Sequence, residues 1–413
     1  MAGKPTVLMI ITLDTKEVEA RYIRGVLEEQ GVDVIHLDCS IRRTVEGVAE
    51  IGPDAVAAAA GKTLQEIRDL KHEGKCQAEM TVGATKLAQD LLKAGKLQGV
   101  LGLGGSMGTS LITAVMRTLP YGLPKVMIST MASGMTRGFV GAKDITMMNS
   151  VCDVAGLNSI SRDIFKNGAV AAAAMAKTYT PGTPELKPLA VMSTLSVTDK
   201  CSIPVRKALT DAGYEVMVFH TTGMGGNAMD EIIAERDVSV VINLSMVEVN
   251  DFLHGGLCSA GPDRCKASLQ KGIPTLFAPG NIDFIIAGPL DHAQANWPGR
   301  RYHIHNTALT AVRSLPQDFR DVADHLATLI NQEARGPVTC LVPLNGFSSH
   351  DSEQGYLHEP TMPAVFAEEL RAKIRPDVPV VDFNCHINDE MFANAIIDWV
   401  LSQKASQKRA ARS

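Results

Sequence analysis

The stretch Val100-Leu-Gly-Leu-Gly-Gly-Ser-Met-Gly-Thr109 runs from apolar residues into four glycines, Gly102, Gly104, Gly105 and Gly108, and hands over to Ser110–Leu119. In that last segment Leu111, Ile112, Val115, Met116 and Leu119 recur at the spacing of one helical face, so the glycines lie between a buried strand and a helix start. Glycine frees the backbone there, and Ser106 and Thr109 place hydroxyls beside the unpaired N–H groups of the first helical turn. Such a turn receives a phosphate or a carboxylate.

Outward from this stretch the same alternation continues. Strand Val7–Leu13, helix Glu17–Gln30, strand Asp33–Leu37, a helical segment ending in Ala84–Ala94, strand Gly99–Leu103, helix Ser110–Leu119 and strand Lys125–Ser129 make up the first half, closed by the alanine-rich helix Ser161–Lys177. Continuous apolar strands between amphipathic helices predict a parallel sheet covered on both faces. Thr180-Pro-Gly-Thr-Pro-Glu-Leu-Lys-Pro188 reads as a linker. The alternation then restarts with strands Leu189–Leu195, Glu215–His220, Val238–Leu244 and Thr275–Ala278 and helices Pro204–Ala212, Ala228–Arg236 and Asp263–Lys271. An irregular stretch precedes the last βα units, among them strands Val338–Pro343 and Val378–Phe383 and helix Glu390–Leu401. The expectation is two doubly wound, Rossmann-like α/β domains, residues 1–179 and 180–403, with a cleft between them and a disordered basic tail over 404–413.

The chain has 413 residues, 45% hydrophobic and 21% charged, with a formal net charge of −5. That balance gives no electrostatic case for nucleic acid or an anionic membrane, and no apolar run approaches the roughly 18 residues of a membrane span. Eight scattered cysteines without a C-x-x-C pair read as reduced thiols of a cytoplasmic protein.

The first glycine loop is neither a Walker A sequence, since no lysine follows Gly108, nor G-x-G-x-x-G, since position 107 is Met. The second, His220-Thr-Thr-Gly-Met-Gly-Gly-Asn-Ala228, does contain G-x-G-x-x-A. Its following strand ends in Asn243-Leu244, without the acid expected about 20 residues on, which disfavours a nicotinamide cofactor. The candidate phosphate sites are therefore Gly104, Gly105, Ser106, Gly108 and Thr109 in one loop and Thr222, Gly223, Gly225 and Gly226 in the other. Asp14 and Lys16 at the end of the first strand and Ser129 and Thr130 at the end of the fourth join them. Asp144 is a candidate Mg²⁺ ligand. His386 and Asp389 are a candidate acid/base pair, and His303, His305 and His386 are candidates for a metal centre of lyase or hydrolase type.

Thr12–Lys16, Gly104–Thr109, Ser129–Gly134, Asp144–Met148, Asp153–Asn158, Thr222–Met229 and His386–Asp389, taken in order, resemble a family of functionally uncharacterised bacterial and fungal proteins. That family includes the N-terminal domain of the tomato mosaic virus resistance protein, an inhibitor of viral RNA replication. The resemblance implies a two-domain α/β fold that binds ATP with magnesium and self-associates as a homodimer or higher homo-oligomer. The antiviral activity depends on a partner surface and is not implied. Two functions follow as expectations: ATP-dependent phosphoryl transfer or hydrolysis on a small acidic or sugar-derived substrate, or non-catalytic, nucleotide-dependent binding.

Overall fold

The computed structural model describes residues 3–134, 136–181 and 187–410, and the chain divides into two compact units, residues 1–184 and 185–413. Part of the proline-rich stretch, residues 182–186, lies outside the described residues. No described helix is long and apolar enough to cross a membrane.

The first unit runs β1 (Thr6–Ile10), α1 (Leu13–Glu29), β2 (Asp33–Leu37), α2 (Pro53–Ala59), α3 (Leu64–Arg68), α4 (Glu73–Lys93), β3 (Gly99–Gly104), α5 (Ser106–Arg117), β4 (Lys125–Ser129), α6 (Arg137–Val140), β5 (Thr146–Asn149) and α7 (Ser159–Thr178). Its sheet has the order β2-β1-β3-β4-β5 and is parallel throughout. Alternate residues of each strand serve opposite faces. Val7, Met9, Leu101, Leu103 and Ile128 pack with α1 and α7 through Ile23, Leu27, Phe165 and Ala169. Leu8, Ile10, Val100 and Met127 pack with α2, α4 and α5 through Val56, Met80, Ile112 and Met116. Burial on both faces is why these strands read as unbroken apolar runs.

The second unit runs β6 (Leu189–Thr194), α8 (Asp199–Asp211), β7 (Glu215–His220), α9 (Met224–Glu235), β8 (Val240–Ser245), α10 (Val247–His254), α11 (Lys266–Gln270), β9 (Thr275–Gly280), β10 (Phe284–Ala287), α12 (Leu290–Asn296), β11 (Tyr302–Ile304), β12 (Thr310–Arg313), α13 (Pro316–Glu333), β13 (Val338–Pro343), α14 (Met362–Lys373), β14 (Val380–Phe383) and α15 (Glu390–Ala410). Six parallel strands form the order β14-β13-β9-β8-β6-β7. The stretch read as irregular holds a separate antiparallel sheet, β10-β12-β11. The doubly wound α/β class is thus present in both units. Residues 404–410, expected as a disordered tail, continue α15.

In both sheets the second strand lies to one side of the first and the third to the other. The crossovers therefore diverge at the carboxyl ends of β1 and β3, and again at those of β6 and β8, and such switch points are where open α/β sheets bind ligands.

Close helix packing gives a direct check. A Cβ on Gly83 of α4 would lie 1.9 Å from the Val56 carbonyl oxygen of α2, whereas one on Gly25 of α1 would meet nothing within 4 Å. Gly83→Ala is expected to destabilise the protein by about 1–3 kcal/mol and Gly25→Ala to stabilise it by roughly 0.5–1 kcal/mol, read as opposite shifts of the calorimetric melting temperature.

Candidate functional site

The first glycine loop lies at the β1/β3 switch point. Gly105 is the N-cap of α5 and supplies no side-chain cap, and the first backbone bond that closes the helix is Thr109 N to Gly105 O, 2.8 Å. Among the described residues the amides of Ser106, Met107 and Gly108 meet no protein acceptor. They lie at a pocket of about 370 Å³ whose other walls include Thr12, Asp14, Thr15 and Lys16 after β1, Cys39, Ile41 and Arg42 after β2, and Glu73 and Gln77 of α4.

The walls are laced together. Asp38 Oδ1 accepts from the amides of Leu13 and Ser40, 3.0 Å each, and the Asp14 amide donates to Ser40 Oγ at 2.9 Å. Asp14 Oδ2 accepts from the Ile41 and Arg42 amides at 3.2 and 3.0 Å, which leaves Oδ1 for the pocket. The backbone of α1 departs from helical geometry at Lys16 (φ −136°, ψ 33°), whose Nζ donates to the Val154 carbonyl at 2.8 Å. Burial pushes the Cys39 thiol up, so it is no nucleophile.

The glycines divide by role. A Cβ on Gly102 would lie 2.4 Å from Ile112 Cγ2, and one on Gly104 would lie 2.9 Å from Gly108 Cα, so these two let α5 sit on β3. On Gly105 and Gly108 the nearest atoms would be 3.9 and 3.8 Å away. Packing leaves room for a side chain at both.

Of the residues predicted around this loop, Asp14, Lys16, Gly105, Ser106 and Gly108 line the pocket, while Gly104, Thr109, Ser129 and Thr130 are not among its walls. Thr109 and Ser129 are fully buried and share a 2.6 Å hydrogen bond that ties α5 to β4. Asp144 is not an open cation ligand. Its Oδ1 pairs with the buried Lys125 Nζ at 2.7 Å, and its Oδ2 accepts from the Gly122 amide at 2.8 Å.

The second glycine loop is built differently from the first. It follows the second strand of its sheet, not the third, and its amides already hold an anion. Glu248, 1% exposed, receives the Gly223 and Gly226 amides on Oε1 at 2.7 and 2.9 Å and Arg264 Nε on Oε2 at 2.9 Å. A Cβ on Gly226 would strike that carboxylate at 1.9 Å, and one on Gly225 the His220 carbonyl at 1.8 Å. These glycines admit the protein's own carboxylate and helix, which replaces the phosphate expected at Thr222–Gly226.

His386 and Asp389 adjoin a second pocket of about 370 Å³ with Lys200, Asn345 and Ser349, but they do not pair as acid and base. Asp389 Oδ2 accepts from the His386 backbone amide at 2.7 Å. The imidazole receives the Asn388 amide on Nδ1 at 3.1 Å and must then donate from Nε2 to the Ser348 carbonyl at 2.9 Å. Both ring nitrogens are committed, and burial holds the imidazole below its usual range. His303 stacks on Tyr356 and lies 4.3 Å, centroid to centroid, from His350. Burial first, then His303 and His305, lowers His350 to about 4. His303, His305 and His386 form no metal-holding cluster among the described residues.

Sequence reasoning missed a buried ionic cluster behind β10 and β12. Asp283 Oδ2 accepts from Ser348 Oγ at 2.6 Å and lies 3.9 Å from Arg313, whose Nη2 is 3.4 Å from Asp351 Oδ1. Burial, with Asp283 adding repulsion, pushes Asp351 up to about 7.

Comparison with known proteins covers nearly the whole chain. The uncharacterised protein family UPF0261 matches through its N-terminal domain at residues 5–181 and its C-terminal domain at 187–403. A UPF0261 protein of Clostridium tetani is 33% identical over 94% of this chain and 96% of its own length, and one of Brucella suis is 32% identical over 96% of each. The tomato ToMV resistance protein Tm-1(GCR237) is 33% identical over 74% of this chain, which corresponds to 41% of the plant protein. Among solved structures, a Streptomyces glycosyltransferase complexed with thymidine diphosphate matches 67% of this chain and 83% of its own at 14% identity, with a TM-score of 0.22. A UDP-N-acetylglucosamine 2-epimerase matches 67% of this chain and 79% of its own at 10% identity, with a TM-score of 0.23. Scores this low carry no argument about chemistry.

Two measurements check the electrostatics. Glu248→Ala strips the anion from two buried amides and Arg264, and urea unfolding is expected to show a loss of about 3–5 kcal/mol. Asp351 binds its proton more tightly folded than unfolded, so its stabilisation is complete below about pH 4 and is lost as pH rises to about 7. Stability measured across that window should fall with pH, and Asp351→Asn should flatten its share of the slope, at most about 1.4 kcal/mol per pH unit.

Proposed function

The chain belongs to the UPF0261 family, and on that footing we propose that it is a nucleotide-binding protein whose first unit receives the phosphates of ATP on the first turn of α5. The observation that carries the reading is the pairing of an open pocket with uncapped amides at the β1/β3 switch point. An N-terminal turn of a helix stabilises anions through its free N–H groups and its dipole. The room for a Cβ at Gly105 and Gly108 supports it, because the bare backbone there serves close approach by something other than the protein.

The donor set also suits a magnesium nucleotide. Mg²⁺ takes one or two carboxylates together with phosphate oxygens and waters, and Asp14 and Glu73 both border the pocket. Arg42, ion-paired with Glu73 at 3.0 Å across the exposed mouth, can exchange that weak partner for a phosphate. ATP as the particular nucleotide comes from the family resemblance, and self-association and a cytoplasmic setting belong to the same reading. We read the protein as a binder, because the one acid/base pair expected from the sequence is committed to backbone groups.

Titration calorimetry of the purified chain with ATP, with and without Mg²⁺, is expected to show saturable binding strengthened by the metal and no release of ADP. Gly105→Val, whose Cβ would meet nothing closer than 3.9 Å, should weaken binding at least about tenfold at an unchanged melting temperature. Absence of saturable binding by the wild type, or full affinity in the folded variant, would overturn the reading. Steady ADP release would replace a binder with an ATPase.

A further inference from the structure

A different cluster lies in the second unit, where α10 meets the start of α13. His254 Nε2 is 3.4 Å from Asp318 Oδ1 and 3.3 Å from Asp321 Oδ2, and the three ligand atoms all lie within 4.8 Å of one another. Asp318 and Asp321 stand three residues apart on one helix, so both carboxylates emerge on the same face. We propose that His254, Asp318 and Asp321 bind a divalent first-row cation of the Zn²⁺ class.

The far side of the His254 ring sets which nitrogen carries a proton. Nδ1 lies 2.9 Å from the Asn250 carbonyl and 3.0 Å from Asn250 Oδ1. The amide cannot be flipped to offer a donor there, because Nδ2 is spent on the Phe284 carbonyl at 2.8 Å and Ser314 Oγ at 3.2 Å. With two acceptors at Nδ1 the proton resides there. With the Nδ1 proton held there, Nε2 is the ring atom turned toward the two carboxylates, and in the neutral ring its lone pair is available to a cation that both carboxylates also reach. A ring that donates its other N–H to a backbone carbonyl is the usual support of a metal-binding imidazole.

The spacing agrees. Atoms bound at about 2.0–2.1 Å in a tetrahedral site lie about 3.3–3.4 Å apart, whereas a charged N–H···O⁻ hydrogen bond closes to about 2.7–2.9 Å. The non-ligating oxygens have their own donors. Asp318 Oδ2 accepts from Arg300 Nη1 and from the Leu315 amide, the latter at 2.8 Å, and Asp321 Oδ1 accepts from Gln317 Nε2 at 2.8 Å. Arg300 Nη2 also lies 3.4 Å from Asp318 Oδ1, a contact longer than a good hydrogen bond, and a metal would compete with it. The His254 and Asp318 side chains are 11% and 7% exposed and that of Asp321 44%. The cation would thus sit on a buried floor with a solvent-facing fourth position. One nitrogen and two carboxylate oxygens suit Zn²⁺ or Co²⁺, and disfavour Mg²⁺ and Ca²⁺, which take oxygen ligands alone.

The test uses the full chain, dialysed against chelator and titrated with Zn²⁺, and with Co²⁺ as a spectroscopic probe. One equivalent of each is expected to bind, with the intense visible absorption of tetrahedral Co²⁺. Asp321→Asn changes a half-exposed side chain and should preserve folding; it and His254→Gln should each weaken binding at least tenfold. Asp324→Asn, an exposed acid on the same helix paired with Lys373 at 2.7 Å, should bind as the wild type does. Failure of the wild type to take up either ion, which would leave an imidazolium ion pair in place of the metal, overturns the proposal. So does uptake that Asp321→Asn and His254→Gln leave unchanged.

Discussion

Both sheets depend on parallel strands that are buried on their two faces at once. Val7 and Met9 of β1 serve the layer of α1 and α7, while Leu8 and Ile10 serve the layer of α2, α4 and α5. Each fully buried aliphatic side chain contributes roughly 1.5–3 kcal/mol relative to exposure, so helices must cover both layers and the crossovers must leave the first strand in opposite directions. Where they diverge, two loops part and no side chain fills the gap. The pocket beside Gly105–Gly108 follows from that geometry before any chemistry is considered.

The two glycine loops show how the same local sequence is put to different ends. At α9 the helix N-terminus is neutralised from within by Glu248, itself held by Arg264. At α5 no carboxylate of the protein occupies the corresponding place among the described residues, and Gly105 offers no side-chain cap. A buried helix end needs a partner for its amides; one placed at an open pocket can take its partner from solution. The contrast turns on topology, since the first loop follows a third strand at a switch point and the second follows a second strand.

The sequence was legible where the signal was local and periodic. The apolar strands, the α5 stripe and the restart of the βα pattern all rest on spacing within a dozen residues. β5 and β10–β12 were not anticipated: each has only three or four residues, too few for a period of two to stand out. Long-range partners were invisible for another reason. Glu248 lies 25 residues beyond Gly223, Lys125 lies 19 before Asp144, and His254 and Asp318 are brought together by helices with a whole antiparallel sheet between them in sequence. The Asp-x-x-Asp spacing that follows Pro316 was a readable signal for one half of the metal cluster; nothing local pointed to the other half.

Glycine density is therefore a blunt sign of an anion site, and the Cβ geometry sharpens it. Gly225, Gly226, Gly102 and Gly104 each stand where an added methyl would meet protein at 2.9 Å or less, so their identity follows from packing alone. Gly105 and Gly108 stand where it would not. A glycine that the fold does not need costs backbone entropy, roughly 0.5–1 kcal/mol within a helix, with no return in packing. At Gly108, inside the first turn of α5, that cost falls beside free amides, an Asp14 carboxylate and Arg42, at the one place in this sheet where the crossovers part. The same residue that weakens the helix keeps its N-terminus bare, and a bare N-terminus is what a phosphate group requires.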